Sequence, residues 1–163
     1  MAGKALGIYL NDHLAGATAG VELSRRIARE HRASACARET QGLADEIDQD
    51  RRSLRALMDS LDVKPRHYKI CGGWVAEKAA RFKPNGRIHR RAGLSDLVEF
   101  ETLRLGIQGK QQMWQALVPV AAETDRVDAP ALERLIDRAR SQMATVDALH
   151  DAAARTSLSR SGD

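Results

Sequence analysis

An all-α fold, four long helices in two antiparallel hairpins, is what the sequence predicts, and three observations predict it. Apolar residues make up 43% of the 163 residues but aromatics only 4%, so the core is built from Leu, Ala, Val, Ile and Met, which suits helix-on-helix packing. No run of β-branched residues alternates with polar ones over the length of a strand. Four stretches instead repeat apolar residues at helical spacing, and the prolines at 65, 84 and 130 fall at the ends of elements.

The first helix is expected from about Ala5 to His31, with Leu6, Leu10, Leu14, Ala17, Val21 and Ala28 as its stripe. The small-residue block from Ala15 to Gly20 predicts a close helix approach at Gly16 and Gly20, because glycine otherwise weakens a helix by about 1 kcal/mol. His13 stands at the edge of the stripe and Glu22 points away from it. The second helix is expected from about Ser34 to Leu61. The short turn near Arg32–Ala35 makes the two antiparallel neighbours. Leu43, Ile47, Leu54, Leu57 and Leu61 share one face of the second helix. Asp50 lies in the middle of that face, and Glu39 and Glu46 at its edge. A carboxylate in a core stripe needs a partner, since an unpaired buried charge is costly.

Residues 62–93 differ in character. Asp62-Val63-Lys64-Pro65 stops the second helix, a shorter helix is expected over Tyr68–Phe82, and Lys83-Pro84-Asn85-Gly86 ends it. Residues 64–91 hold nine Lys/Arg and one Glu, so the net charge of +4 comes from this segment, and the remainder is acidic. The third helix opens with a capping signal at Ser95 and runs to about Glu123, with Pro119 disturbing its last turns. It is apolar on two sides. Phe100, Leu103, Ile107, Trp114 and Val118 form one; Leu94, Val98 and Leu105, with Glu101, Gln108 and Gln112, form the other. The second side predicts a homodimer contact. The fourth helix runs from about Pro130 to Ala154 on a stripe of Leu132, Ile136, Ala139, Met143, Val146 and Ala153, with His150 in it. The bundle is expected to be one domain over residues 1–156, with 157–163 a polar tail.

Heights along the bundle test whether the polar core positions meet. With the first turn centred near residue 33, His13 and Asp50 fall within about 5 Å of one height at 1.5 Å per residue. With the second turn centred near 126, Glu101 and His150 also match. A short link between the second and third helices would bring all four to one end as a two-carboxylate, two-histidine metal site. The actual link of about 30 residues is far longer than a hairpin connection and long enough to return along the bundle. The two pairs are therefore expected near opposite ends, with His13 and Asp50 as a buried pair fixing helix register.

The architecture of two hairpins joined by a long basic connection resembles the ferritin-like bundle. The segment LRALMDSLDVKPRHYKICGGWVAEKAARF resembles small stress-associated bacterial members of that superfamily, in which a Leu-rich helix end and a proline precede a short Cys-containing helix. YLNDHLAGATAGVEL resembles a segment of actinobacterial proteins and implies no activity. The family resemblance implies a ferritin-like four-helix bundle with a short crossover helix. It also implies a carboxylate site made of a Glu from each of two helices and Glu-x-x-His from each of the others. This chain departs from that set. It has Glu46-x-x-Gln49 and Asp147-x-x-His150, an outward Glu22, and Glu99 and Glu101 on the third helix.

The reading is thus a non-catalytic structural or interaction protein without a complete di-metal site, needing no cofactor. The alternative is an active iron or manganese protein with His13, Glu46, Asp50, Glu101 and His150 as ligands. A further alternative is a nucleic-acid or polyanion binder using Lys64, Arg66, Lys69, Lys83, Arg87, Arg90 and Arg91. No apolar run approaches the length of a membrane span and the N-terminus does not read as a signal peptide. Cys36 and Cys71 lack metal-type spacing, and Cys71-Gly72-Gly73 carries no triad signature. A cytoplasmic protein with reduced thiols is expected.

Overall fold

A computed structural model describes residues 3–66 and 92–158. These residues form four α-helices and no strands: α1 (Lys4–Glu30), α2 (Ala37–Ser60), α3 (Ala92–Glu123) and α4 (Ala129–Leu158). α1 packs against α2 and α3; α4 packs against α3 and, along a shorter seam, α2. The cross-helix pairs Glu101–His150, Arg104–Asp147 and Lys110–Gln142 descend one helix as they climb the other, so α3 and α4 are antiparallel. Among the described residues, no helix is long and apolar enough to cross a membrane.

The first hairpin ends at one end of the bundle and the second begins at the other. α2 ends beside the start of α1, where Asn11 holds the outgoing strand of chain: its amide donates to the Lys64 carbonyl at 3.3 Å, and its carbonyl accepts from the Arg66 N–H at 2.6 Å. α3 begins beside the end of α1, where Arg26 meets Glu99 at 2.8 Å and His31 faces Asp96 at 3.6 Å. The end of α2 and the start of α3 therefore lie at opposite ends of the bundle, as a return along it requires. The helix expected over Tyr68–Phe82 lies outside the described residues, as do Lys69, Lys83, Arg87, Arg90 and Arg91; Lys64 and Arg66 are exposed.

Local chemistry sets the helix ends. α2 closes with Asp62 at φ 56°. The Val63 N–H bonds back to the Met58 carbonyl at 2.8 Å and the Asp62 N–H to that of Asp59 at 3.1 Å. This left-handed stop satisfies two orphan carbonyls, and Asp is one of the few non-glycine residues that tolerate it. The Arg126 guanidinium then takes the Asp62 carboxylate at 2.5 Å, tying this corner to the α3–α4 turn. α4 starts on Asp128, whose side chain accepts from the Ala131 N–H at 3.2 Å. Pro130 stands in the first turn, where its missing N–H costs nothing.

Two expectations about helix geometry are corrected. α3 begins at Ala92, three residues before the Ser95 capping signal, and continues through Pro119 to Glu123. Its start is held by a close approach to the end of α4: a Cβ on Gly93 would fall 2.8 Å from the Ser157 Cβ. The close approach expected in α1 is not at Gly16, which is exposed and has no neighbour within 4 Å of an added Cβ; at Gly20 the contact, 4.0 Å to Ile47, is ordinary. α4 runs to Leu158.

The apolar core is in two parts. One holds Leu10, Leu54, Met58, Met113, Trp114, Leu117, Leu132 and Ile136, toward the start of α1. The other holds Val21, Ile27, Leu43, Ile47, Phe100, Leu103, Ile107, Val146 and Leu149, toward its end. Along α2 the division falls at Asp50, along α3 at Lys110, and along α4 at Arg138, between Ile136 and Ala139.

Candidate functional site

The layer between the two apolar clusters is polar and centred on Asp50, only 2% exposed. Asp50 keeps the helical phase of Leu43, Ile47 and Leu54, so the packing of α2 forces its carboxylate inward. Lys110 enters from α3 in the phase of Leu103, Ile107 and Trp114, and its ammonium donates to Asp50 Oδ2 and to Gln142 Oε1, both at 2.5 Å. The Gln142 amide, 1% exposed, donates at 3.1 Å to Asp50 Oδ2 and at 3.1 Å to Glu46 Oε2. Arg138 places a guanidinium nitrogen against Asp50 Oδ1. That contact is an ion pair rather than an aligned hydrogen bond, which leaves Oδ1 and Arg138 Nε without hydrogen-bond partners.

The layer is electrically balanced, with Asp50 and Glu46 against Lys110 and Arg138. Burial holds the Lys110 pKa below the ordinary lysine value, and the Asp50 carboxylate, by attraction and hydrogen bonding, works in the opposite direction. Arg138 adds to the lowering and Glu46 counters it. Gln142 bridges a cation and two anions, so its amide orientation follows from its partners.

The pairing of Asp50 with His13 is corrected. His13 packs edge-on against the Tyr9 ring, centroids 4.5 Å apart, while the oxygens of Asp50 go to Lys110, Gln142 and Arg138. Height along a bundle is one coordinate and azimuth is the other. Leu10, Ala17 and Val21 hold the inward line of α1, and His13 stands about 60° off it at 100° per residue. Burial lowers the His13 pKa, with Asp12 pulling the other way.

The pairing of Glu101 with His150 is observed: Nε2 and Oε1 are 3.1 Å apart across α3 and α4. Both groups are at the rim, with Glu101 60% and His150 33% exposed in their side chains. Glu39 is exposed at the edge of its helix face. The five candidate metal ligands thus divide into three places: His13 beside Tyr9, Glu46 and Asp50 in the central layer, Glu101 and His150 at the rim. Among the described residues, no three His, Cys, Asp or Glu side chains are grouped so as to hold a metal ion. Glu99, the other α3 acid, is held by Arg26, and burial raises its pKa against that cation.

Lys110, Arg138 and Gln142 were not among the residues that the sequence reading singled out. A signal existed for two of them. Lys110 lies on the Leu103–Ile107–Trp114 line of α3, and Gln142 between Ala139 and Val146 on α4. The α4 stripe therefore includes Gln142 and Leu149, with Met143 only partly buried.

Comparison with family models, with curated proteins and with solved structures gives no match for this chain. Its function is argued from its own residues.

Proposed function

We propose that the protein is a structural or interaction bundle of ferritin-like topology, whose core is held by its own cations rather than by a di-metal centre. The observation that carries this reading is the engagement of Asp50 by Lys110 and Arg138. In a carboxylate-bridged metal bundle the acids of the core neutralise divalent ions. Here an ammonium and a guanidinium meet the central acid, and a divalent ion at that position would face both positive charges at close range. Desolvation makes such repulsion large. Gln142 completes the layer as a neutral bridge, and among the described residues no imidazole contacts Asp50.

The dimer belongs to the same proposal. Leu94 and Leu105, 49% and 64% exposed, stand on the outer side of α3 with Val98, and a second copy of the chain is the occupant assigned to that side. Sedimentation reads it: Leu105→Glu is expected to shift a dimer to monomer.

The metal content of protein purified after growth with iron, manganese and zinc tests the main reading. Far less than one metal per chain, unchanged in Asp50→Ala, is expected. Stoichiometric metal that disappears in Asp50→Ala would overturn it.

A further inference from the structure

The turn between α1 and α2 holds a group that the central layer does not use. Cys36 is the N-cap residue of α2 and its thiol is a free, half-buried one. Sγ lies 3.6 Å from His31 Nδ1 and 3.1 Å from Ser34 Oγ. The other ring nitrogen, Nε2, faces Asp96 Oδ1 on α3 at 3.6 Å, an ionic separation. The ring is stacked on Phe100, with centroids 5.7 Å and planes 29° apart. Thiol, imidazole and carboxylate therefore stand in line, the ring held on one face by an aromatic and facing an acid at its far nitrogen. The acid favours the tautomer protonated on Nε2, which leaves Nδ1 to accept the thiol proton.

Two more features bear on this thiol. The Cys36 side chain makes no capping bond to the first turn of α2, so that turn does not compete with His31 for the thiol. A groove of about 570 Å³, lined in part by Cys36, opens between α2 and α4. Ser141, Thr145, Ala148 and Leu149 line its α4 side, none of them titratable, and Glu39 is the charged group on its α2 side. The nucleophile thus adjoins space for an adduct.

We propose that Cys36 is a site of thiol–disulfide exchange with a low-molecular-weight disulfide, the groove receiving the half that stays attached. His31 takes the Cys36 proton, and the thiolate sulfur attacks one sulfur of the disulfide. A new S–S bond forms to Cys36 as the old one breaks. The bonding pair leaves with the departing thiolate, which recovers the proton from His31. Cys36 is oxidised and one half of the disulfide is reduced to a thiol. Asp96 is a positioning residue, acting through the imidazole.

The test uses the full chain with bis(2-hydroxyethyl) disulfide, an uncharged probe, and follows adduct formation by mass across pH, with the site mapped after proteolysis. N-acetylcysteine is the reference thiol, and mapping separates Cys36 from Cys71, which lies outside the described residues. The adduct is expected on Cys36. Near pH 6.5 its rate is expected to exceed the reference by about fivefold, because His31 takes the thiol proton as the sulfur attacks. His31→Gln is expected to bring the rate and its pH profile to those of the reference, and Asp96→Asn to move both part of the way, with the far-UV dichroism unchanged. An unaltered rate and profile in folded His31→Gln would overturn the proposal. If the variants do not fold, the native chain still decides: a Cys36 rate at or below the reference near pH 6.5 overturns it.

Discussion

Asp50 and Glu101 are both carboxylates reaching across the bundle to a basic side chain, and they stand in opposite surroundings. Asp50 is 2% exposed and has Lys110, Arg138 and Gln142 around it. Glu101 is 60% exposed and, among the described residues, has His150 alone, itself a third exposed. The comparison separates geometry from energy. The Glu101–His150 contact, at 3.1 Å, has good hydrogen-bond length, yet water competes for both groups and a surface pair contributes about 0–1 kcal/mol. At Asp50 and Gln142 the central layer is closed to water, so the attraction there is strong. The desolvation of two charges offsets much of it. What burial adds is the consequence of breaking the set: an isolated ion left in the core.

The largest break is at the centre. Asp50→Ala leaves Lys110 and Arg138 facing each other with Glu46, exposed at the edge of the layer, as the remaining counter-charge, and a loss of about 3–5 kcal/mol is expected in urea unfolding. Lys110→Met is a smaller break, because Arg138 still meets Asp50 and the methionine stem fills the space of the lysine. About 1–3 kcal/mol is expected, for the loss of a charged hydrogen bond to each of two buried acceptors.

His13 sharpens the comparison, being an imidazole of intermediate exposure with no acid at hydrogen-bonding distance among the described residues. Burial holds its folded pKa below 6.5, so below about pH 6.5 the unfolded chain binds more protons than the folded one. Its contribution is fully present above the unfolded value and is lost as the pH falls through the folded one. The urea midpoint is expected to drop on acidification through that window, and His13→Phe to flatten the drop. The smallest effect belongs to the rim: His150→Ala is expected to change stability by less than about 1 kcal/mol, and the change is expected to shrink further in 1 M salt.

Much of the fold was legible in the sequence for physical reasons that can be named. Helical period located four helices, and the length of the link between Arg66 and Ala92 implied the return along the bundle. Matching heights found Glu101 with His150. The same method mispaired His13 with Asp50, because equal height leaves azimuth free. Lys110 was passed over for another reason. A lysine beside a core stripe usually carries its charge out to water along a flexible stem, and here the stem carries it inward to Asp50. Gly16 and Gly20 were read as a close contact, yet Gly16 faces open space. His31, Cys36 and Asp96 follow no period, since a turn and the packing of α3 against α1 bring them together.

The claim that an internal ion set holds the core rests most directly on the coupling between Asp50 and Lys110. A double-mutant cycle of Asp50→Asn and Lys110→Met, read by urea unfolding at neutral pH without added metal, measures it. The account predicts that the double variant loses less stability than the two single losses added together, by more than about 1.5 kcal/mol. Losses that add within about 0.5 kcal/mol would contradict it.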